Sequence, residues 1–330
     1  MLFIRNDSKN PYYNLALEEY ALKNLHLNDD FLILWQNAHT VVVGRNQNTI
    51  EEVNSKYVKE NDVNVVRRMS GGGAVYHDLG NLNYTFITRS DDNSKNNFVK
   101  FTKPVIDALE TLDVHAEFSG RNDITIDGKK ISGNAQYYYQ DRMLHHGTIL
   151  FDVNSDILKD VLNVKLDKIA SKGIKSVKSR VTNICQHLKE KITIEELKNI
   201  LLKFILETND ISIKEYILSP SDIDNINKLM EEKYSTWEWN YGESPKFELQ
   251  KSKRYEGGSI DLRLNVKEGN ITAFKIYGDF FGRKDVSELE KLIINKNFEE
   301  DSIRNVFKDI DITDYFYNIT IDNFIDCMFY

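Results

Sequence analysis

Along the first half of the chain the apolar runs are short and are closed by Asn, Gly or charged residues. "FLILWQN" and "TVVVGRNQN" are runs of this kind and predict buried strands. "VNVVRR" predicts another, which delivers the chain into "RRMSGGGAVYHD". Beyond the glycines, "AVYHDLGNLNYTFIT" alternates Leu82, Tyr84 and Phe86 and reads as strand. Two stretches carry the helical period instead. "PYYNLALEEYALKN" places Tyr13, Leu17, Tyr20 and Ala21 on one face, and Val105, Ala108, Leu109 and Leu112 recur at helical spacing behind "KP". In "ITIDGKKIS", Asp127-Gly128 lies between two short β runs and predicts a type I′ hairpin, whose central residues both need positive φ. "HHGTILFDV" is a further strand, and residues 194–208 and 221–234 read as helices, the second after a Ser-Pro-Ser capping region.

Strands interspersed with helices, with at least one hairpin, predict an α/β (α+β) domain built on a mixed sheet. The pattern changes near "WEWNYGESPKF". Ile260, Leu262, Leu264 and Val266 alternate, "KEGN" turns, "ITAFKIYGDF" returns, and two or three acidic helices follow. This ββααα pattern is long enough for a small α+β accessory domain. At 330 residues the chain exceeds what one core usually organises. The expected division is a first domain over 1–246 and a second over 250–330.

Composition narrows the classes. A hydrophobic fraction of 41%, with 17 Phe, 17 Tyr and 3 Trp, supports real cores. The formal charge of −8 argues against a general nucleic-acid surface, so any basic feature must be local. No 18-residue apolar run is present to span a membrane. The start, "MLFIRNDSKNPYYN", lacks the features of a signal peptide, and the two cysteines, Cys185 and Cys327, have no metal spacing, so a reducing cytoplasm is expected. Cys185, in "TNICQHL", reads as a small buried hydrophobe rather than a nucleophile.

Chemistry concentrates in four places. The glycine run is neither a P-loop, since no Gly is followed by Lys and then Ser or Thr, nor a dinucleotide fingerprint, whose last glycine is missing. It is either a tight turn between strands or a backbone concavity for an anion, and the adjoining arginines shift the balance to the anion. Lys129-Lys130 is either a solvated hairpin edge or a pair of which one turns inward to meet an anion. Nearby, "GRND" offers Arg121 and Asp123 as partners for such a lysine or for a cation. Adjacent His145 and His146 face opposite ways on a strand, which excludes zinc and leaves one of them as a hydrogen-bonded pocket residue. Residues 164–183 hold five lysines and Arg180 against one aspartate, as either a basic surface loop or a lid over a polyanion.

In this order the motifs resemble the lipoate–protein ligase family: "YNLALEEY", "VVVGRNQN", "RRMSGGGAVYHDLGN", "GRNDI", "GKKISGNA", "HHGT", "SKGIKSVKSRVTN" and "WEWNYGESPKF". The resemblance covers nearly the whole chain. It implies a biotin/lipoate-ligase-like catalytic domain that activates free lipoate with ATP and Mg²⁺ to lipoyl-AMP. The acyl group then passes to a lysine of a lipoyl-domain carrier, an E2 subunit of a 2-oxoacid dehydrogenase or the glycine-cleavage H protein. It further implies nucleotide contacts from Arg68, Gly73, Ala74, Val75 and Tyr76, with Lys130 touching both nucleotide and lipoate as the catalytic lysine. Ser70, Gly72, Gly73, His77, Asn81, His146 and Thr148 fall at lipoate-pocket positions. Asp123 is expected beside Mg²⁺, and Lys172, Gly173, Lys178 and Arg180 in the loop that orders over the adenylate. Two alternatives stand against this reading: an octanoyltransferase of the same superfamily working through a cysteine thiolate, and a non-catalytic module that only docks lipoyl domains.

Overall fold

Among the described residues, ten strands precede residue 151: β1 (Leu2–Ile4), β2 (Phe31–Trp35), β3 (Thr40–Val43), β4 (Asn64–Arg67), β5 (Val75–His77), β6 (Asn81–Arg89), β7 (Glu117–Ser119), β8 (Asp123–Ile126), β9 (Lys129–Tyr139) and β10 (Arg142–Leu150). The computed structural model describes residues 1–25, 29–90, 97–162, 180–242 and 247–330. Seven of the strands form a mixed sheet in the order β1-β2-β6-β10-β9-β8-β7, in which β1 is parallel to β2 and the other neighbours are antiparallel. A smaller sheet has the order β4-β3-β5. By packing, the chain divides into two compact units, one of residues 1–42, 50–66 and 75–240 and one of residues 43–49, 67–74 and 241–330.

In the first unit, alternation sorts the large sheet into an apolar and a polar face. Leu32, Leu34, Leu82, Tyr84, Phe86, Ile124, Ile131, Met143 and Ile149 pack with Phe101, Val105 and Leu109 of the Phe98–Glu110 helix and with Leu197 and Leu201 of the Ile194–Ile205 helix. Each such side chain, fully buried, contributes about 1.5–3 kcal/mol. The 98–110 helix starts earlier than the "KP" pattern predicts, and Pro104 lies inside it. Asn97 caps it by accepting from the Lys100 N–H, and buried Phe98 and Phe101 hold its first turns against the core, which outweighs the backbone hydrogen bond lost at the proline. The stretch after the glycines is likewise two strands rather than one. At Asp78–Gly80 the chain turns, with Gly80 N–H on Asp78 Oδ1 (2.9 Å), so β5 joins the small sheet and β6 the large one. The second predicted helix, from Pro220, becomes a π-turn over Met230–Tyr234.

His145 points into the apolar layer, fully buried and stacked on Phe101 with ring centroids 5.0 Å apart. Burial, helped by His146, holds its pKa well below 6.5, so the folded protein carries it neutral. The unfolded chain takes up that proton near 6.5, so the stabilisation is complete above this pH and is lost as pH falls below it, at up to about 1.4 kcal/mol per pH unit. Denaturant midpoints at pH 7 and pH 5.5 should show wild type losing about 1 kcal/mol more than His145→Phe. An equal loss in both proteins would mean that His145 is not held neutral.

The second unit contains β11 (Leu249–Tyr255), β12 (Gly258–Lys267) and β13 (Asn270–Gly278), antiparallel in that order, with helices at Ser287–Ile293, Glu300–Val306 and Ile321–Phe329. Ile260, Leu262, Leu264, Phe280, Phe316 and Phe324 form its core. β11 escapes the sequence pattern because it is an edge strand reading "LQKSKRY", largely exposed and without apolar alternation.

Candidate active site

The polar face of the large sheet carries Lys130. Asp127 and Gly128 take φ of 51° and 71°, as the hairpin turn demands. The returning strand then departs from simple alternation. Thr125 pairs with Lys130, Ile124 with Ser132 and Asp123 with Gly133, leaving Ile131 as the extra residue of a β-bulge. Directly paired residues share a face. Lys130 therefore stands beside Thr125, Ile131 enters the core, and Lys129 is exposed. Of the two roles open to Asp123, the structure shows partnership with the lysine: Lys130 Nζ lies 2.8 Å from its Oδ1.

The neighbours of Lys130 are fixed through their main chains. Lys130 donates its N–H to the Arg180 carbonyl (2.8 Å) and accepts from Thr182 N–H (3.0 Å). Thr148 Oγ1 accepts from Gly133 N–H (3.1 Å). Asn134 donates its backbone N–H to the Asn122 carbonyl (2.9 Å), and Asn122 Nδ2 donates to the Asn134 carbonyl (2.6 Å), clamping the segment that carries Asp123. Asn134 Oδ1 accepts from the Tyr84 hydroxyl, and a side chain at Gly147 would strike both groups. Two buried polar atoms on this face, Thr125 Oγ1 and Asn81 Oδ1, have no hydrogen-bond partner among the described residues. Such atoms are rare in folded proteins, and a ligand or solvent molecule on the Lys130 face would satisfy them.

Further along the same face, His146 Nδ1 lies 3.0 Å from Glu18 Oε1. Thr85 Oγ1 donates to Glu18 and accepts from Trp35 Nε1 (2.9 Å). His77 Nδ1 is 3.2 Å from Asn37 Nδ2, and Asn37 Oδ1 accepts from Asn14 Nδ2 (2.9 Å). The Trp35 and His77 rings meet edge-on at 6.3 Å. Glu18 and Trp35 were not among the residues singled out from sequence. The available signal was an acid inside the apolar helical stretch "NLALEEYAL", where Glu18 is 1% exposed.

The glycine motif is split, with Arg68 to Ala74 in the second unit and Val75, Tyr76 and His77 in the first. Within the second unit, buried Arg67 donates to the carbonyls of Gly44 (3.0 Å), Arg45 (2.8 Å) and Gln47 (2.7 Å) and to Thr49 Oγ1 (2.6 Å). Burial pulls its pKa down to about 10, which leaves it charged at neutral pH. Arg68 donates to Ser70 Oγ (3.1 Å) and to the carbonyls of Gly71 (2.6 Å) and Gly73 (2.9 Å). Gly72 has φ 94°, donates its N–H to the Phe280 carbonyl (3.3 Å), and leaves room for the Phe281 ring, 2.8 Å from where its Cβ would be. Gly71 also lies against Phe280. Part of what the glycine run accommodates is thus the protein's own chain, while Gly73 faces open space. Lys172, Gly173 and Lys178 lie outside the described residues.

Neither thiol suits nucleophilic catalysis. Burial pushes both up to about 11, Cys185 with further help from Asp152, whose Oδ1 is 3.3 Å from the sulfur. No helix among the described residues is long and apolar enough to cross a membrane.

Family models for the lipoyl protein ligase A/B catalytic domain and for the bacterial lipoate protein ligase C-terminus match residues 10–206 and 244–328. The chain is 52% identical to the Bacillus subtilis (strain 168) lipoate-protein ligase LplJ over the full length of both. It is similar to the crystal structure of P. falciparum LipL1 in complex with lipoate, with a TM-score of 0.81 and 30% identity over 98% of this chain and 97% of that one. An archaeal bipartite lipoate protein ligase, studied with its E2 lipoyl domain from Thermoplasma acidophilum, gives a TM-score of 0.65 at 30% identity over 75% of this chain and 98% of that one. The protein is therefore an enzyme, an ATP-dependent ligase. The chain belongs to the lipoate–protein ligase family, whose activity is to join lipoate to protein.

Proposed function

We propose that Lys130 is the catalytic lysine of lipoate activation, and the observation that carries this is its half-buried ammonium, 2.8 Å from Asp123 on a face where Thr125 Oγ1 and Asn81 Oδ1 have no partner among the described residues. A lipoate carboxylate oxygen attacks the α-phosphorus of ATP, the bond to the β-phosphate breaks, and pyrophosphate leaves. The amine of an acceptor lysine then attacks the acyl carbon of lipoyl-AMP, forming the amide and releasing AMP. Carboxylate and triphosphate repel each other, so a fixed ammonium where the two react lowers the barrier. Arg68, Gly73, Ala74, Val75 and Tyr76 contact the nucleotide, and Ser70, Gly72, His77, Asn81, His146 and Thr148 contact lipoate. The acceptors are lipoyl domains of E2 subunits or the glycine-cleavage H protein, a reading supported by the E2 lipoyl domain of the Thermoplasma system. Residues 1–246 carry the catalysis and 250–330 an accessory role, in the cytoplasm.

Mg²⁺ is bound in nucleotide sites by one or two carboxylates together with phosphate oxygens and water. No cluster of three ligating side chains occurs among the described residues, and Asp123, the partner of Lys130, would supply a carboxylate for this arrangement. Bound there, the ion would neutralise phosphate charge.

Lipoate-dependent ATP–pyrophosphate exchange, followed by transfer to purified carriers, tests the whole reading. Cys185→Ser with Cys327→Ser should retain both activities within a few-fold, because an adenylate route needs no thiol. Loss of transfer in a folded double variant would return the protein to the thioester route.

A further inference from the structure

We infer that Gly133 is a positioning residue for adenylation: the space left by its missing side chain is where the Lys130 ammonium is held. The inference rests on the assignment of Lys130 as the catalytic lysine. A Cβ at Gly133 would lie 2.6 Å from Lys130 Nζ, 2.9 Å from its Cε and 3.9 Å from Asp123 Oδ1. Contacts that short between a Cβ and a neighbouring heavy atom essentially never occur, so the lysine and a methyl group at 133 exclude each other.

The backbone itself does not call for glycine there. Gly133 is absent from the positive-φ residues, and it sits in a regular pair with Asp123. Gly128 makes the contrast: its φ is 71° and its Cβ would meet nothing within 4 Å, so that glycine serves the turn and this one serves the lysine. The bulge creates the arrangement. In an unbulged ladder Ile131 would pair with Ile124 and Ser132 would stand opposite Asp123; with the bulge, Gly133 does, on the face that Lys130 occupies. Thr148 Oγ1, accepting the Gly133 N–H at 3.1 Å, fixes the strand at this point and prevents it from backing away.

What an alanine would displace is the far end of a flexible side chain rather than packed backbone. The fold can absorb the change by swinging the lysine aside, and the chemistry cannot. Gly133→Ala should therefore separate activity from stability. Pyrophosphate exchange should fall by roughly 10²-fold in kcat, the loss typical of about 1 Å of misplacement, while the melting temperature stays within a few degrees of wild type. A crystal structure of the variant should show Lys130 Nζ beyond hydrogen-bond distance of Asp123. Wild-type exchange in Gly133→Ala, or an undisturbed Lys130–Asp123 pair, overturns the inference.

Lys130→Ala is assayed alongside. If it is inactive while Gly133→Ala is normal, the positioning role alone fails; if Lys130→Ala exchanges like wild type, the assignment of the lysine fails with it. Should Gly133→Ala melt low, the Lys130→Ala/Gly133→Ala variant decides. Recovery of the wild-type melting temperature assigns the clash to the lysine, and a persistent loss assigns it elsewhere and overturns the inference.

Discussion

Lys130→Ala should abolish lipoate-dependent pyrophosphate exchange while Lys129→Ala, one residue away, should keep it within a few-fold. The difference comes from the register of the β8–β9 hairpin. Lys129 is exposed at the turn, whereas Lys130 pairs with Thr125 and reaches back to Asp123. A solvated strand lysine is dispensable to within about 0.5 kcal/mol. A preorganised positive group at the reacting centre contributes about 10²–10³-fold in kcat, and more where it orients both substrates. The assay is run at saturating lipoate and ATP, with melting curves to confirm folding. Essential Lys129 with dispensable Lys130 would show that the catalytic ammonium comes from the other face of the strand.

Arg67→Ala should lower stability by about 3 kcal/mol or more, through the acceptors it strands. One buried guanidinium satisfies the carbonyls of Gly44, Arg45 and Gln47 and the Thr49 hydroxyl. Charge-assisted hydrogen bonds contribute about 1.5–3 kcal/mol each, and a buried acceptor left without a donor costs about 1–3 kcal/mol. Solvent entry into the loosened 43–49 segment recovers part of this, which keeps the total below the sum. Arg67→Lys should fall between the two proteins, since three donors on one nitrogen cannot reproduce a planar fork. Urea midpoints measure both, and a change under about 0.5 kcal/mol for Arg67→Ala would show that the loop does not depend on it.

The two arginines that open the glycine motif look equivalent in sequence and are not equivalent in the fold. Arg67 ends β4 and braces a loop twenty residues upstream, while Arg68 folds over its own glycines, and nothing in "RRMSGGG" distinguishes them. The hairpin was legible because its turn is decided by two adjacent residues. The bulge that follows was not, because alternation already puts Ile131 on the core face and nothing local says that Ser132 rather than Ile131 pairs with Ile124. Alternation says only that Lys129 and Lys130 face opposite ways; it cannot say that Gly133 rather than Ser132 stands beside Lys130. Pro104 and the polar edge strand β11 misled in opposite directions, one as a false breaker and one as a missing period. The pairing of Glu18 with His146 links positions 128 residues apart, a distance no window along the chain spans.

The glycine run also sets an order of events at birth. Its backing comes from the C-terminal part of the chain: Gly72 hydrogen-bonds Phe280, and in the same unit Arg45 pairs with Asp285, 240 residues later. At a synthesis rate of about 5–20 residues per second, the ribosome takes roughly 10–50 s to cover that interval. Within that time the β8–β9–β10 strands that hold Lys130, neighbours in sequence, are made and can pair. The Gly72 N–H and the Arg45 guanidinium must wait for Phe280 and Asp285. Lys130 can thus be seated while the glycine loop is held only by its local contacts, Arg68 on the carbonyls of Gly71 and Gly73, and still lacks its backing from Phe280.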